Sequence, residues 1–508
     1  MKDITASTVI RINEELITFI DKSPNAYFAV SNLTDMLKNN GYTCIYEGDK
    51  WELEAGKGYY VTRDGSSVIA FRIPKAGTND TKNGEGNLSE DFDYSGFQIM
   101  ASHSDSPAFK VKPNAEIVVE NSYIKLNTEK YGGMIMSSWL DRPLSVAGRI
   151  VVRTEDGVET RLVNVDRDLC MIPSLAIHMD RKTNDGYVWN AQKDMLPLFA
   201  RIYTSAGDCG ENNLIDNIIK EKGVINDKIR ESNALLSIIA KEAGVDKDGI
   251  LDTDLFLYNR NKGTLYGANN EFIGSGRLDD LQCAYATMKG FVEAGIYDSQ
   301  SNQSLGVEEN KADITDNSKS IQVCCVFNNE EVGSSTKQGA ASSFLNDVLS
   351  GINHALGKDE EQTRRMFANS FLVSADNVHA LHPNHPEKAD PTNRPMLNKG
   401  IVIKYNANQK YTTDAVSGGI FRRICEMADV PVQTYVNRSD IAGGSTLGNI
   451  ATTRVSINAV DIGLPQLAMH SAYETAGAFD TVCLVEASKK FYSVTLRTRG
   501  DGRYNIDV

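Results

Sequence analysis

Apolar positions recur at helical spacing from Val9 to Lys22 and stop at Ser23-Pro24-Asn25, which predicts an amphipathic helix closed by a turn. A second helix is predicted over Ala26 to Asn39. The period then shortens: Gly58 to Thr62 and Ser67 to Phe71 read as paired strands, with Asp64-Gly65 as the hairpin signal between them. Four short runs, Phe97 to Ala101, Ile321 to Phe327, Phe371 to Val373 and Val455 to Ile462, are almost wholly apolar and each leads into polar residues or glycine. Strands with so few polar interruptions are covered on both faces, so the pattern predicts an α/β domain around a central sheet.

From Phe109 to about Thr264 the texture changes to alternating exposure, as in Arg149 to Val163, and predicts β-hairpins. The chain is therefore read as a discontinuous domain, residues 1–108 and 265–508, with a β-rich domain, 109–264, inserted into it. Two polar stretches, Lys75 to Tyr94 and Gln300 to Lys319, are predicted to be surface loops.

Length and composition add limits. A chain of 508 residues with 41% hydrophobic and 24% charged positions has ample core for a large enzyme. With 53 basic against 67 acidic residues, its net charge of −14 repels polyanions and argues against nucleic acid or an anionic membrane as partner. No basic stretch followed by an apolar run opens the sequence, and nowhere do about eighteen apolar residues run together. Eight cysteines are scattered without a C-x-x-C pair, which suits buried thiols in a reducing cytoplasm.

The unusual polar residues lie where the apolar runs end, which is where sheets of this class collect functional groups. His103 and Asp105 follow the Phe97 run and, in extended backbone, point to one side, so that Asp105 can hold the imidazole or a partner group from behind. Asp279 and Asp280 open a helical pattern, a place where acids also simply complement the helix dipole. Glu330 and Glu331 follow the Ile321 run and splay apart, so one can ligate while the other takes a proton. Asp376 and His470 end further segments. Two histidines and three carboxylates from separate strand ends are donors that suit zinc, and a shared carboxylate would screen the repulsion between two ions about 3.5 to 4 Å apart. The residues alone thus point to a two-metal hydrolase.

Taken together, His103 to Pro107, Arg277 to Asp279, Asn329 to Ser334, Ser374 to Asp376 and Leu464 to Ser471 resemble the aspartyl aminopeptidase family of zinc metallopeptidases, which includes vacuolar aminopeptidase I. The match runs in order from Ser23 to His470. The resemblance implies a zinc-exopeptidase domain with a central mixed sheet flanked by helices, and an inserted dimerisation domain. It implies two Zn²⁺ per subunit, one held by His103, Asp279 and Asp376 and the other by Asp279, Glu331 and His470, with manganese or cobalt as alternatives at one site. Asp279 would bridge and Asp280 would be dispensable. Glu330 would be the general base and Asp105 its companion.

His178, which on its residues alone reads as structural, matches the family's histidine that reaches into a neighbouring subunit's site. His379, Lys404 and Tyr411 match substrate-contacting positions, and an ammonium at Lys404 would favour an acidic N-terminal residue. The histidines at 379, 382 and 385 also have a spacing that suggests a separate metal site, but a loop is the preferred reading. Departures exist: Asn328 stands where many members have Asp, and Arg438 to Thr446 differs from acid-specific relatives, which bears on side-chain preference rather than on hydrolysis. The expectation is a cytoplasmic metalloaminopeptidase acting on peptides, assembled as a tetrahedral homododecamer. A two-zinc carboxypeptidase or amide deacylase, and a non-catalytic shell, are the alternatives.

Overall fold

The computed structural model describes residues 4–75, 94–202, 233–299, 319–500 and 502–507. Most of the two polar stretches expected to be surface loops, 75–94 and 300–319, lies outside the described residues. Contacts divide the chain into two compact units, 1–106 with 263–469 and 474–508, and 107–262 with 470–473.

The first unit is built on a nine-stranded mixed sheet. Its four central strands, Ile321–Phe327, Phe97–His103, Phe371–Ala375 and Asn458–Gly463, are mutually parallel. Nearly all of their residues are buried, as the apolar runs required. Antiparallel neighbours flank this core: Ser67–Arg72 beside Ile321–Phe327, and Ile401–Tyr405 beside Asn458–Gly463. The hairpin Gly58–Arg63 to Ser67–Arg72 turns through Asp64 and Gly65 at φ 58° and 64°, left-handed backbone that these two residues tolerate.

Helices cover both faces of this sheet. On one side Ala6–Asp21, Ala26–Asn39, Leu278–Ser299, Ala415–Met427 and Ala478–Ser493 bury Leu16, Leu33, Phe291, Phe421 and Phe491 in one apolar cluster. On the other, Phe344–Ala355 and Leu447–Ala451 supply Phe344, Leu349 and Leu447 to a second. Asn25 starts the second helix by accepting hydrogen bonds from the Tyr27 and Phe28 amides, as a short polar residue at that position does.

Asp279 and Asp280, although placed at a helix start, have non-helical backbone, and the peptide between them is cis. The regular helix begins after them, so the two acids precede its first turn.

The second unit is an antiparallel six-stranded sheet, in order Val158–Asn164, Leu144–Arg153, Ile250–Asn259, Ala108–Val119, Tyr123–Tyr131 and Leu198–Arg201. One face packs with Phe109, Trp139, Leu257 and the helix Ala234–Ala243, which explains the alternating exposure of its strands. The segment His470–Tyr473 belongs with this unit: the Ile135 amide donates to the His470 carbonyl at 3.0 Å, and Asn259 Nδ2 donates to the Ala472 carbonyl at 2.9 Å.

Candidate metal centre

Parallel pairing carries the chemistry to one edge. Because Phe327 is in register with His103 and Ser374 with Ala101, the strands that end in His103, in Asn328 to Glu331 and before Asp376 finish side by side. There, ligand atoms of His103, Asp279, Asp280 and Asp376 all lie within 4.8 Å of one another, and those of His103, Glu330 and Glu331 form a second such group. The His103 ring faces acids on both sides. Its Nδ1 donates to the Asp105 carbonyl at 3.1 Å, which leaves Nε2 with its lone pair aimed at Asp279 Oδ1 (3.5 Å) and Asp376 Oδ1 (3.8 Å). Three electron-pair donors converging on one point is an arrangement that a cation completes.

Electrostatics makes the same argument. Burial foremost, then the charges of Asp376, Asp105 and Asp279, pushes the Glu330 carboxyl up to about 8 against the opposing pull of His103. Burial and the Asp279 charge hold Glu331 well above the usual carboxylate range, and burial with Asp376 and Asp279 does so for Asp280. Burial disfavours a charged His103, but Asp280, Asp105, Asp279 and Asp376 outweigh it and raise the imidazole well above its ordinary value. So many buried acids repel unless divalent charge lies among them, and the histidine and carboxylate donors are those zinc takes.

The sign of these shifts gives a test. The Glu330, Glu331 and Asp280 carboxyls bind their protons more tightly in the folded chain than in the unfolded one, and so does His103. Without metal the folded state therefore holds more protons between about pH 4.5 and 8, and its stability falls as pH rises through that window. Chelated protein is expected to melt higher at about pH 5.5 than at pH 8, with the difference shrinking once zinc is restored. A metal-free melting temperature that climbs over the same interval would contradict this account.

Asp105 lies behind the group. Its Oδ1 and Oδ2 accept from the Glu330 and Glu331 amides, each at 3.2 Å, while Oδ1 lies 3.4 Å from His103 Nδ1. One carboxylate thus braces both the histidine and the turn of the two glutamates, which Asn329 enters with left-handed backbone (φ 61°).

Asp376 is shared between partners. Its Oδ1 faces His103, and its Oδ2 lies 3.3 Å from the Lys404 ammonium, which also donates to the Asn377 carbonyl at 2.9 Å. Lys404 is buried, which disfavours its charge, but the Asp376 carboxylate outweighs burial and keeps it charged. Gly463 permits the approach, since a Cβ there would collide with the Asp376 carbonyl and lie 2.9 Å from Lys404 Cε. Lys404 faces the Tyr411 ring at 5.7 Å, Tyr411 faces Tyr435 at 6.4 Å, and Tyr435 faces the exposed His379 at 6.4 Å. Side chains therefore run in a row from the metal group to a cleft of about 370 Å³ lined by His379, His382, His385, Tyr435, Arg438 and Gln466.

Among the described residues no metal-capable group includes His379, His382 or His385. His178 is exposed on a loop of the second unit, and His470 has left-handed backbone, φ 66°, in the segment that packs with that unit.

Two further contacts at the centre were not legible in the sequence. Glu474, buried, accepts from the Asp279 amide at 3.1 Å and thereby holds the backbone of that acid. Asp280 accepts from the His103 amide at 3.0 Å. Glu474 lies outside every motif, and nothing in the Asp279-Asp280 pair marks a bond to the His103 amide; only the folded chain brings these groups together.

Histidine and carboxylate donors gathered at the carboxyl edge of a mixed α/β sheet, with glutamates beside them, define a metal-dependent hydrolase. Residues 19–492 match the model of the family described as aminopeptidase I zinc metalloprotease (M18). The chain is 43% identical over 487 residues to a probable M18 family aminopeptidase 2 of Clostridium novyi, covering 96% of this chain and 99% of that protein. It is 35% identical over 496 residues to a probable aspartyl aminopeptidase of Ricinus communis, covering 95% of each. A cryo-EM structure of the Ape4 and Nbr1 complex holds a chain with 34% identity and a TM-score of 0.81, covering 96% of this chain and 86% of that one. The protein belongs to the M18 family of zinc aminopeptidases.

Proposed function

We propose that this metalloaminopeptidase removes single residues from peptide N-termini at a centre of two zinc ions. The observation that carries the reading is the convergence of His103, Asp279 and Asp376 beside Glu330 and Glu331. His103, Asp279 and Asp376 would hold one ion, and Asp279, Glu331 and, by its place in the motif from Leu464, His470 the other. Bound zinc supplies Lewis-acid polarisation of the scissile carbonyl and a more acidic water. Glu330 takes the proton from the attacking water and returns it to the leaving amine. A carboxyl pushed upward by burial and neighbouring acids is suited to that exchange near neutral pH. Asp105 holds Glu330 in place through its amide and steadies His103.

Lys404 is the proposed specificity group, with Tyr411 and His379 along the same row. Lys404 pairs with the Asp376 carboxylate and donates to the Asn377 carbonyl, and its ammonium has a further N–H to offer an acidic side chain of the substrate. A panel of Asp, Glu, Leu and Lys aminoacyl substrates with parallel metal assay tests the reading. Faster turnover of Asp and Glu supports it, a preference for Leu refutes the assignment to Lys404, and cleavage of N-terminally blocked peptides would sink the aminopeptidase reading itself.

We further propose a homododecamer in which His178 serves a neighbouring subunit and helps bind the tetrahedral oxyanion. The loop around it leaves Leu175, Ile177, Met179 (75% exposed) and Val188 (95%) uncovered, apolar surface that a single chain rarely presents together. Activity is then expected to fall on dilution as the assembly dissociates, checked by sedimentation and assay of the same samples. Fully active monomers would contradict it. The cytoplasm is the proposed location, in keeping with seven free cysteines among the described residues; recovery in a secreted fraction would overturn that placement.

A further inference from the structure

One cleft of the first unit lies away from the metal centre. It holds about 480 Å³ and is lined by Lys358, Arg365, Arg497 and Arg499, with Gln362 and Asn369 among its polar residues and no acid among the described residues of its wall. Four cations around one concavity are unexpected in a chain of net charge −14, because they repel one another and a concave wall focuses their field. Local partners account for only part of the cluster. Arg497 Nε has Asp507 Oδ2 at 3.2 Å, and Lys358, whose Nζ lies 5.6 Å from the Tyr94 ring centre, is also engaged. Arg365, in the last turn of Glu360–Ala368, complements that helix end but forms no ion pair among the described residues, and neither does Arg499.

The position separates this cleft from the reaction. Ser95 precedes the strand Phe97–His103 and Asn369 precedes Phe371–Ala375, so the cleft adjoins the starts of strands whose other ends reach His103 and Asp376. Seven residues of strand place the two sites roughly 20 Å apart. The volume is that of a small-molecule site, whereas the wall is polar and cationic rather than apolar. Guanidinium groups offer paired N–H donors that match phosphate oxygens.

We propose that this cleft binds a small phosphate-bearing polyanion, held chiefly by Arg365 and Arg499. The test is calorimetric titration of the metal-loaded full chain with inorganic pyrophosphate at fixed ionic strength, beside citrate and a short poly-glutamate as non-phosphate anions. The R365E/R499E double variant is compared with R423E, a charge reversal elsewhere on the surface. Saturable binding that weakens at least about tenfold in R365E/R499E but not in R423E, with peptidase activity kept by both, is the expected result. Binding retained in R365E/R499E would mean capture at the metal centre and overturn the proposal. Equal or tighter binding of citrate would overturn the preference for phosphate, and tighter binding of poly-glutamate would reassign the cleft to an acidic protein segment.

Discussion

Replacing Glu330 with glutamine is expected to leave the zinc content unchanged while lowering kcat by about 10²- to 10⁴-fold, the usual range for loss of a general acid–base group. That corresponds to about 3–5 kcal/mol of transition-state stabilisation. Glutamine keeps the size of the side chain and its carbonyl oxygen but cannot take a proton at neutral pH. The backbone contact through which the Glu330 amide donates to Asp105 at 3.2 Å does not depend on the side chain, so the turn and the neighbouring Glu331 should stay in place. KM should change little, because the effect belongs to proton transfer. Metal analysis, a melting curve and kcat on one preparation decide the matter: turnover near that of the parent enzyme would remove Glu330 from the mechanism, and loss of zinc would make it a ligand instead.

The second large effect is expected at Asp279. Its Oδ1 lies 3.5 Å from His103 Nε2, and its side chain belongs to the donor group that also holds Asp376. As the proposed bridge it serves both ions, so Asp279→Ala should empty the two-metal site and bring peptidase activity to background. The fold should survive, because the Asp279 amide still donates to Glu474 and the Asp279 carbonyl still accepts from Ser106 Oγ at 2.6 Å.

Asp280→Asn is the contrast. Although the Asp280 carboxylate lies in the same group, the contact it visibly makes is as acceptor for the His103 amide, and an asparagine oxygen can accept equally well. Zinc and most turnover should therefore be retained. If Asp280→Asn loses metal as Asp279→Ala does, both acids are ligands and the assignment of a single bridge is wrong.

Legibility in the sequence followed the range of the interactions involved. The helix Ala26–Asn39 and the strand Ile321–Phe327 have the bounds their apolar patterns indicate, since period and breaker residues act within a few positions. The strand Phe97–His103 runs two residues past its apolar run, because its pairing with Phe327 continues to His103 itself. The helical pattern that opens at Asp279 and Asp280 did not show that their own backbone is non-helical, since that geometry is set by contacts distant in the chain.

The class of this protein is written in local patterns: apolar runs that must be covered on both faces, donors placed at their ends, and motifs in an order that resembles one peptidase family. Which groups touch depends on the folded chain. The pairing of Lys404 with Asp376, the hold of Glu474 on the Asp279 amide and the bracing of Glu330 and Glu331 by Asp105 join residues 28 to 226 positions apart. Such contacts arise from a strand order in which Ile321–Phe327 lies beside Phe97–His103, and no local period or spacing along the chain encodes that adjacency.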